Sequence, residues 1–107
     1  PHLNKDGILT CGDLQLDPLA FTLRCGNNEI QLPPKESQLL ELLMRRKNMV
    51  TPKDMMIEKV WGYDTDADDN RIEMYISFLR KKIGSLGSKA SIQTIRGAGY
   101  VLKPHGE

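Results

Sequence analysis

At 107 residues the chain makes one domain, long enough to bury a core and too short for two. Apolar residues at 39% and charged residues at 27% suit a folded globular chain, and no apolar run reaches the roughly 18–20 residues of a membrane-spanning helix. The net charge of +1 hides a division: residues 1–69 carry 8 Lys/Arg against 12 Asp/Glu, whereas residues 70–107 carry 7 against 2. A basic end of this kind suits an anionic partner, although a solvated basic face looks the same.

The start, Pro1 to Gly7, lacks the apolar core of a signal peptide and reads as a linker remnant (1–7). A single domain is expected over 8–104, with a short tail over 105–107. Cys11 and Cys25 lie outside any CxxC pattern and read as small, partly buried thiols of a reducing cytosol. A cytoplasmic location is therefore expected. His2 and His105 sit near the termini, away from any metal or catalytic cluster, and no cofactor is expected.

The first third is strand-like. Ile8-Leu9-Thr10-Cys11 precedes Gly12-Asp13, and Leu14-Gln15-Leu16-Asp17 alternates. Pro18 interrupts, alternation resumes over Phe21-Thr22-Leu23-Arg24, and the turn Gly26-Asn27-Asn28 leads to Glu29-Ile30-Gln31-Leu32. These spacings predict four short antiparallel strands with one buried face. Pro33-Pro34 then opens a helix, with Leu39, Leu40, Leu42, Leu43 and Met44 as its apolar stripe. Arg45, Arg46 and Lys47 fall in its last turn, and Asn48 ends it. Thr51-Pro52 reads as the N-cap and first-turn proline of a second helix, which turns Met56, Ile57 and Val60 inward and stops near Trp61-Gly62.

A third helix is expected from about Asp69 to Ile83, ending at Gly84. Ile72, Ile76, Leu79 and Ile83 recur at spacings of 4, 3 and 4, one helical face. Arg71, Glu73, Met74, Ser77, Phe78 and Lys81 then lie on or beside the exposed side, followed by the cations Arg80-Lys81-Lys82. Cations match phosphates, polar side chains reach base edges, and apolar ones can meet thymine methyl groups. The competing reading is a solvated amphipathic helix whose Met and Phe belong to the core. Ile92 to Arg96, the turn Gly97-Ala98-Gly99, and Tyr100-Val101-Leu102 form a hairpin, with Arg96 at the lip of a turn of small residues. A basic helix followed by a projecting hairpin tipped with arginine suits DNA better than an ordinary edge hairpin does.

Over nearly its whole length the chain resembles the C-terminal effector domain of OmpR/PhoB-type response regulators. The marks are Leu32 with Lys35-Glu36 and Leu39-Leu40 beyond it, then Val60-Trp61-Gly62. The most specific blocks are Tyr75 to Ile83 (YISFLRKKI) and Ile92 to Tyr100 (IQTIRGAGY). The resemblance implies an α+β winged helix-turn-helix: an N-terminal four-stranded antiparallel sheet, a three-helix core and a C-terminal β-hairpin wing. It implies a sequence-specific transcriptional regulator that places its third helix in the major groove of double-stranded DNA. Arg71, Glu73, Met74 and Phe78 would then face bases. Trp61, Asn70, Tyr75, Ser77, Arg80, Thr94 and Tyr100 would contact or flank phosphates, and Arg96 would be the wing residue at the minor groove. Many relatives carry Arg or Lys where this chain has Phe78, and Pro33 replaces a frequent Thr.

The stretch Asp64-Thr65-Asp66-Ala67-Asp68-Asp69 mimics a calcium loop, but its sixth position is Asp69 rather than Gly and its twelfth is Tyr75 rather than Glu. It reads instead as a solvated loop whose last aspartates cap the third helix. In the resembled family this loop can engage RNA polymerase, which would make Asp64 and Asp66 contact residues. The resemblance further implies two copies on repeated half-sites and a receiver domain ahead of this one. Two other readings remain: the same domain in a membrane-anchored activator, or a winged helix that binds protein and no DNA. An enzymatic role is not expected, since no nucleophile–base pair, metal cluster or phosphate loop is visible.

Overall fold

Alternation along Leu14-Gln15-Leu16-Asp17 sends both leucines to one face, and a sheet is built on it in the computed structural model, which describes residues 7–62 and 69–105. Strands β1 (Leu9–Cys11), β2 (Leu14–Asp17), β3 (Thr22–Cys25) and β4 (Asn28–Gln31) pair antiparallel in the order β1-β2-β3-β4. Cys11, Leu14, Leu16, Leu23 and Cys25 form the buried face. Gly12 holds φ +62 in the turn between β1 and β2, where a Cβ would stand 2.8 Å from the carbonyl oxygen of Pro104. Asp17 shapes the next turn: its Oδ1 accepts from the N–H groups of Leu19 at 3.1 Å and Ala20 at 3.3 Å. Phe21 departs from its expected strand position. It lies in that turn at φ 53, its carbonyl accepting from the Leu32 N–H at 2.8 Å, because the Asx turn uses one residue more than alternation allows.

The register sets Leu14 opposite Cys11 on one side and Cys25 on the other. The two cysteines are therefore two strand spacings apart, about 9–10 Å, beyond disulfide reach. Both thiols are free and buried, and burial pushes both above their ordinary value.

Helix α1 (Pro34–Arg45) starts from Pro33 with no side-chain cap, since proline offers no acceptor, and seats Pro34 in its first turn. Leu39, Leu40, Leu43 and Met44 are buried. Asn48 turns the chain at φ 68 and donates its N–H to the Leu102 carbonyl at 2.9 Å, the left-handed conformation that Asn tolerates.

Helix α2 (Lys53–Met56) widens into a π-turn over Ile57–Trp61 and stops at Gly62. Lys35 Nζ donates to the Val60 carbonyl at 2.9 Å, occupying an acceptor in that last turn. Thr51 is not the N-cap of this helix; Pro52 holds that position, without a side-chain bond. Thr51 is fully buried and forms an antiparallel bridge to Tyr100. Its N–H donates to the Tyr100 carbonyl at 2.7 Å, and its carbonyl accepts the Tyr100 N–H at 3.1 Å. Its hydroxyl accepts from Arg46 Nε at 3.0 Å. Extended pairing with a distant strand has overridden the local capping preference.

Helix α3 runs from Asp69 to Ser85 and buries Ile72, Ile76, Leu79 and Ile83 as the spacing requires. It continues through Gly84, the expected stop. The left-handed turn falls instead at Gly87, φ +80, because Leu86 is a further core residue at 6% exposure and holds the last turn down. Strands β5 (Ser91–Ile95) and β6 (Gly99–Lys103) form the closing hairpin, with Ile95 opposite Gly99.

Asp13 ties the first turn to the loop after α3. Ser88 Oγ donates to Asp13 Oδ1 at 2.5 Å, and the Lys89 N–H donates to Oδ2 at 3.1 Å. The Ser88 hydroxyl foremost, and the Lys89 N–H after it, hold this carboxyl below its ordinary value of 3.8. A depressed carboxylate adds stability that is fully present above the unfolded value and lost as pH falls through the folded one. Asp13→Asn should therefore lower the melting temperature at pH 7, and the gap from the parent should close progressively below about pH 4. A gap that persists unchanged at pH 2 would show that charge plays no part in this tie.

Candidate nucleic-acid interface

With Ile72, Ile76, Leu79 and Ile83 committed to the core, the opposite face of α3 is left to solvent. Asn70, Glu73, Met74, Ser77, Phe78 and Lys81 are exposed there, and Arg71 and Tyr75 are half-buried at its margin. Met74 is 46% exposed and Phe78 40%, so neither belongs to the core. Phe78 is nevertheless supported from one side. Its ring is tilted on Tyr75 at 5.9 Å between centroids, and Tyr75 meets Trp61 edge-on at 5.2 Å. Trp61 and Tyr75, expected near phosphates, thus also act as the props of an exposed aromatic.

Helix α3 is locked to the hairpin by Arg80. Its Nε donates to the Ile92 carbonyl at 3.0 Å, and a terminal nitrogen donates to Thr94 Oγ1 at 2.9 Å. The same guanidinium lies 5.9 Å from the centre of the Tyr100 ring. Arg80, Thr94 and Tyr100, three of the expected phosphate residues, are therefore brought together at the junction of α3 and the wing. Tyr100 is only 4% exposed, so it underlies this junction more than it projects from it.

Lys53 was not among the expected site residues. It reaches from α2 to Glu73 Oε2 at 3.3 Å and stands 5.9 Å from the Tyr100 ring on its Nζ side. With Asp54, Ile57, Ile95 and Arg96 it lines a groove between α2 and the wing tip. The only sequence signal for it was a cation in the first turn of the helix that precedes α3. Arg96 is exposed on the turn between β5 and β6, beside Gly97.

The basic run Arg80-Lys81-Lys82 does not act as one unit. Arg80 belongs to the hairpin junction and Lys81 is exposed. Lys82 turns the other way and pairs with the buried Glu36 of α1 at 2.6 Å. Helical spacing separates neighbours by about 100°, so three successive cations cannot share a face. Asp64 and Asp66 lie outside the described residues, as does Asp68. No helix among the described residues is long and apolar enough to cross a membrane.

Residues 27–102 match a family described as "Transcriptional regulatory protein, C terminal". The heme response regulator HssR of Staphylococcus aureus is 34% identical over 104 residues, a match covering 97% of this chain and 46% of HssR. The chain thus spans about half the length of the curated relatives it matches. Among solved structures, the C-terminal domain of the nisin resistance regulator NsrR is similar at a TM-score of 0.75 and 34% identity, over 88% of this chain and 94% of that one. The Klebsiella pneumoniae RstA DNA-binding domain, solved in complex with the RstA box, has a TM-score of 0.75 at 26% identity, over 92% and 99%.

Proposed function

This chain belongs to the C-terminal domains of OmpR/PhoB-type transcriptional regulators, and on that premise we propose that it binds specific double-stranded DNA with α3 in the major groove and the hairpin wing at the adjacent minor groove. One observation carries the proposal: the solvent face of α3 and the Arg96 turn are both exposed, and Arg80 fixes one relative to the other through Ile92 and Thr94. A helix and a wing held at a set angle can engage two grooves together.

In this reading Arg71, Glu73, Met74 and Phe78 face bases. Asn70, Ser77, Arg80 and Thr94 meet phosphates, with Trp61, Tyr75 and Tyr100 behind them, and Arg96 enters the minor groove. The Lys53–Glu73 pair adds a constraint, because Glu73 must keep or exchange that partner when it approaches a cytosine amino group. Likeness to response regulators supports two copies on repeated half-sites and a receiver domain in the parent protein. The acidic charge of Asp64 and Asp66, which fall in sequence between α2 and α3, supports a contact with RNA polymerase rather than with phosphate.

Arg96→Ala tests the wing. It should weaken operator binding by about 1–3 kcal/mol and shift stability by less than about 0.5 kcal/mol, as exposed positions do. Gel shifts and thermal melts on the same preparation check both. Equal losses of binding and melting temperature would make Arg96 structural and remove the wing contact. A domain that binds no DNA at low or moderate salt would favour the protein-interaction reading instead.

A further inference from the structure

Two large apolar side chains stand uncovered on the helix that should meet DNA. Met74 and Phe78 are four residues apart, so they sit one above the other on the same stripe of α3. They are 46% and 40% exposed. Their polar neighbour Glu73 is held by Lys53 at 3.3 Å. The centre of the α3 surface is therefore an apolar ridge flanked by charge.

A base edge in the major groove presents donors, acceptors and one apolar group, the C5-methyl of thymine. Docking an apolar ridge against donors and acceptors would strip them of water without replacing their hydrogen bonds, which is unfavourable. Docking it against methyl groups removes apolar surface on both sides. From this complementarity, and resting on the DNA-binding reading above, we infer that Met74 and Phe78 read thymine methyl groups and that each half-site carries thymines at the positions they cover.

The two side chains have different tolerances. Phe78 is propped by Tyr75 at 5.9 Å, and Tyr75 by Trp61 at 5.2 Å, so its ring is offered from a supported position. Met74 is unbranched and adapts its shape. Phe78 therefore demands a methyl at one fixed position, whereas Met74 accepts one at either of two neighbouring steps. A Cβ separation of about 5–6 Å along the helix, against about 3.4 Å per base step, places the two contacts within about two base pairs. Phe78 also shuts out the bidentate guanine contact that an arginine would make there.

The test uses the chain as it stands and DNA selected by it from random sequence. Each thymine of the selected half-site is replaced singly by deoxyuridine, which deletes the methyl and keeps the pairing edge. One or two positions should lose about three- to fivefold in affinity, the weight of one buried methyl. At the position read by Phe78, the Phe78→Ala variant should bind thymine and uracil sites alike, while Phe78→Leu keeps part of the preference. Uracil tolerated within twofold at every position, or full methyl sensitivity retained in both Phe78→Ala and Met74→Ala, would overturn the inference. So would loss of self-association in Phe78→Ala with DNA affinity unchanged, which would make the ridge a protein surface. If no sequence is selected at all, the DNA-binding reading itself fails; selection without methyl dependence defeats the thymine reading alone.

Discussion

Gly99→Ala should lower the unfolding free energy by about 3–5 kcal/mol, a loss beyond that of most single substitutions. A Cβ built on Gly99 falls 2.1 Å from the Thr51 carbonyl oxygen, 2.8 Å from its carbon and 2.9 Å from Pro52 Cα. All three are backbone atoms, so no side chain can swing aside. Gly99 also holds φ +149, a conformation L-residues rarely adopt, which adds about 1–3 kcal/mol of strain. Relief requires β6 to retreat from Thr51, breaking the paired hydrogen bonds between Thr51 and Tyr100 at about 1 kcal/mol each. Gly97→Ala is the control. Gly97 has φ +75 but open space around it, so it should lose only the conformational part, about 1 kcal/mol. Urea titration of both variants measures the difference, and equal losses would refute the close-approach argument. Because Thr51 stands one residue before Pro52, the N-cap position of α2, the same contact fixes the base of the wing against the helix-turn-helix. Gly99, unlike Gly97, serves an approach to the protein's own backbone.

Much of this was legible in the sequence because it is local and periodic. The alternation around Leu14 and Leu16 gave a two-sided sheet, and the 4-3-4 spacing of Ile72, Ile76, Leu79 and Ile83 gave the buried face of α3. The same spacing, by subtraction, exposed the face that carries Met74 and Phe78. Apart from Phe21, displaced by the local Asx turn at Asp17, the departures have causes beyond the local pattern. Thr51 is a good N-cap by type, but a strand 49 positions along the chain claims it through Tyr100. Gly84 is a good stop by type, but Leu86 found a core site beyond it. The family resemblance placed Arg80, Thr94 and Tyr100 in one functional group; it could not say that Arg80 would already be bonded to Thr94 and to the Ile92 carbonyl. Lys53 was missed for the same reason, since its partners Glu73 and Tyr100 come from later elements.

Lys82 shows what such a partner changes, and its removal should be the second large effect. Glu36 lies in the first turn of α1 at 5% exposure, and Lys82 Nζ meets its Oε1 at 2.6 Å across the α1–α3 contact. Lys82→Met deletes the cation and leaves the buried carboxylate without that partner. Breaking a buried pair from one side costs about 3–5 kcal/mol. Here the loss should be nearer 2–3 kcal/mol, because the Lys82 side chain is 28% exposed and water screens part of the interaction. Glu36→Leu combined with Lys82→Met should recover most of that loss, since an apolar pair of similar volume needs no desolvation of charge. The double variant then separates stability from binding. Were Lys82 a phosphate contact, its operator affinity would lose about one counterion of salt dependence. With Lys82 committed to Glu36, the salt slope should match the parent, while Lys81→Ala, at an exposed position on the same helix, should flatten it by about one. A double variant whose slope falls as far as that of Lys81→Ala would return Lys82 to the DNA face, and the pair with Glu36 would then be a contact that DNA dissolves.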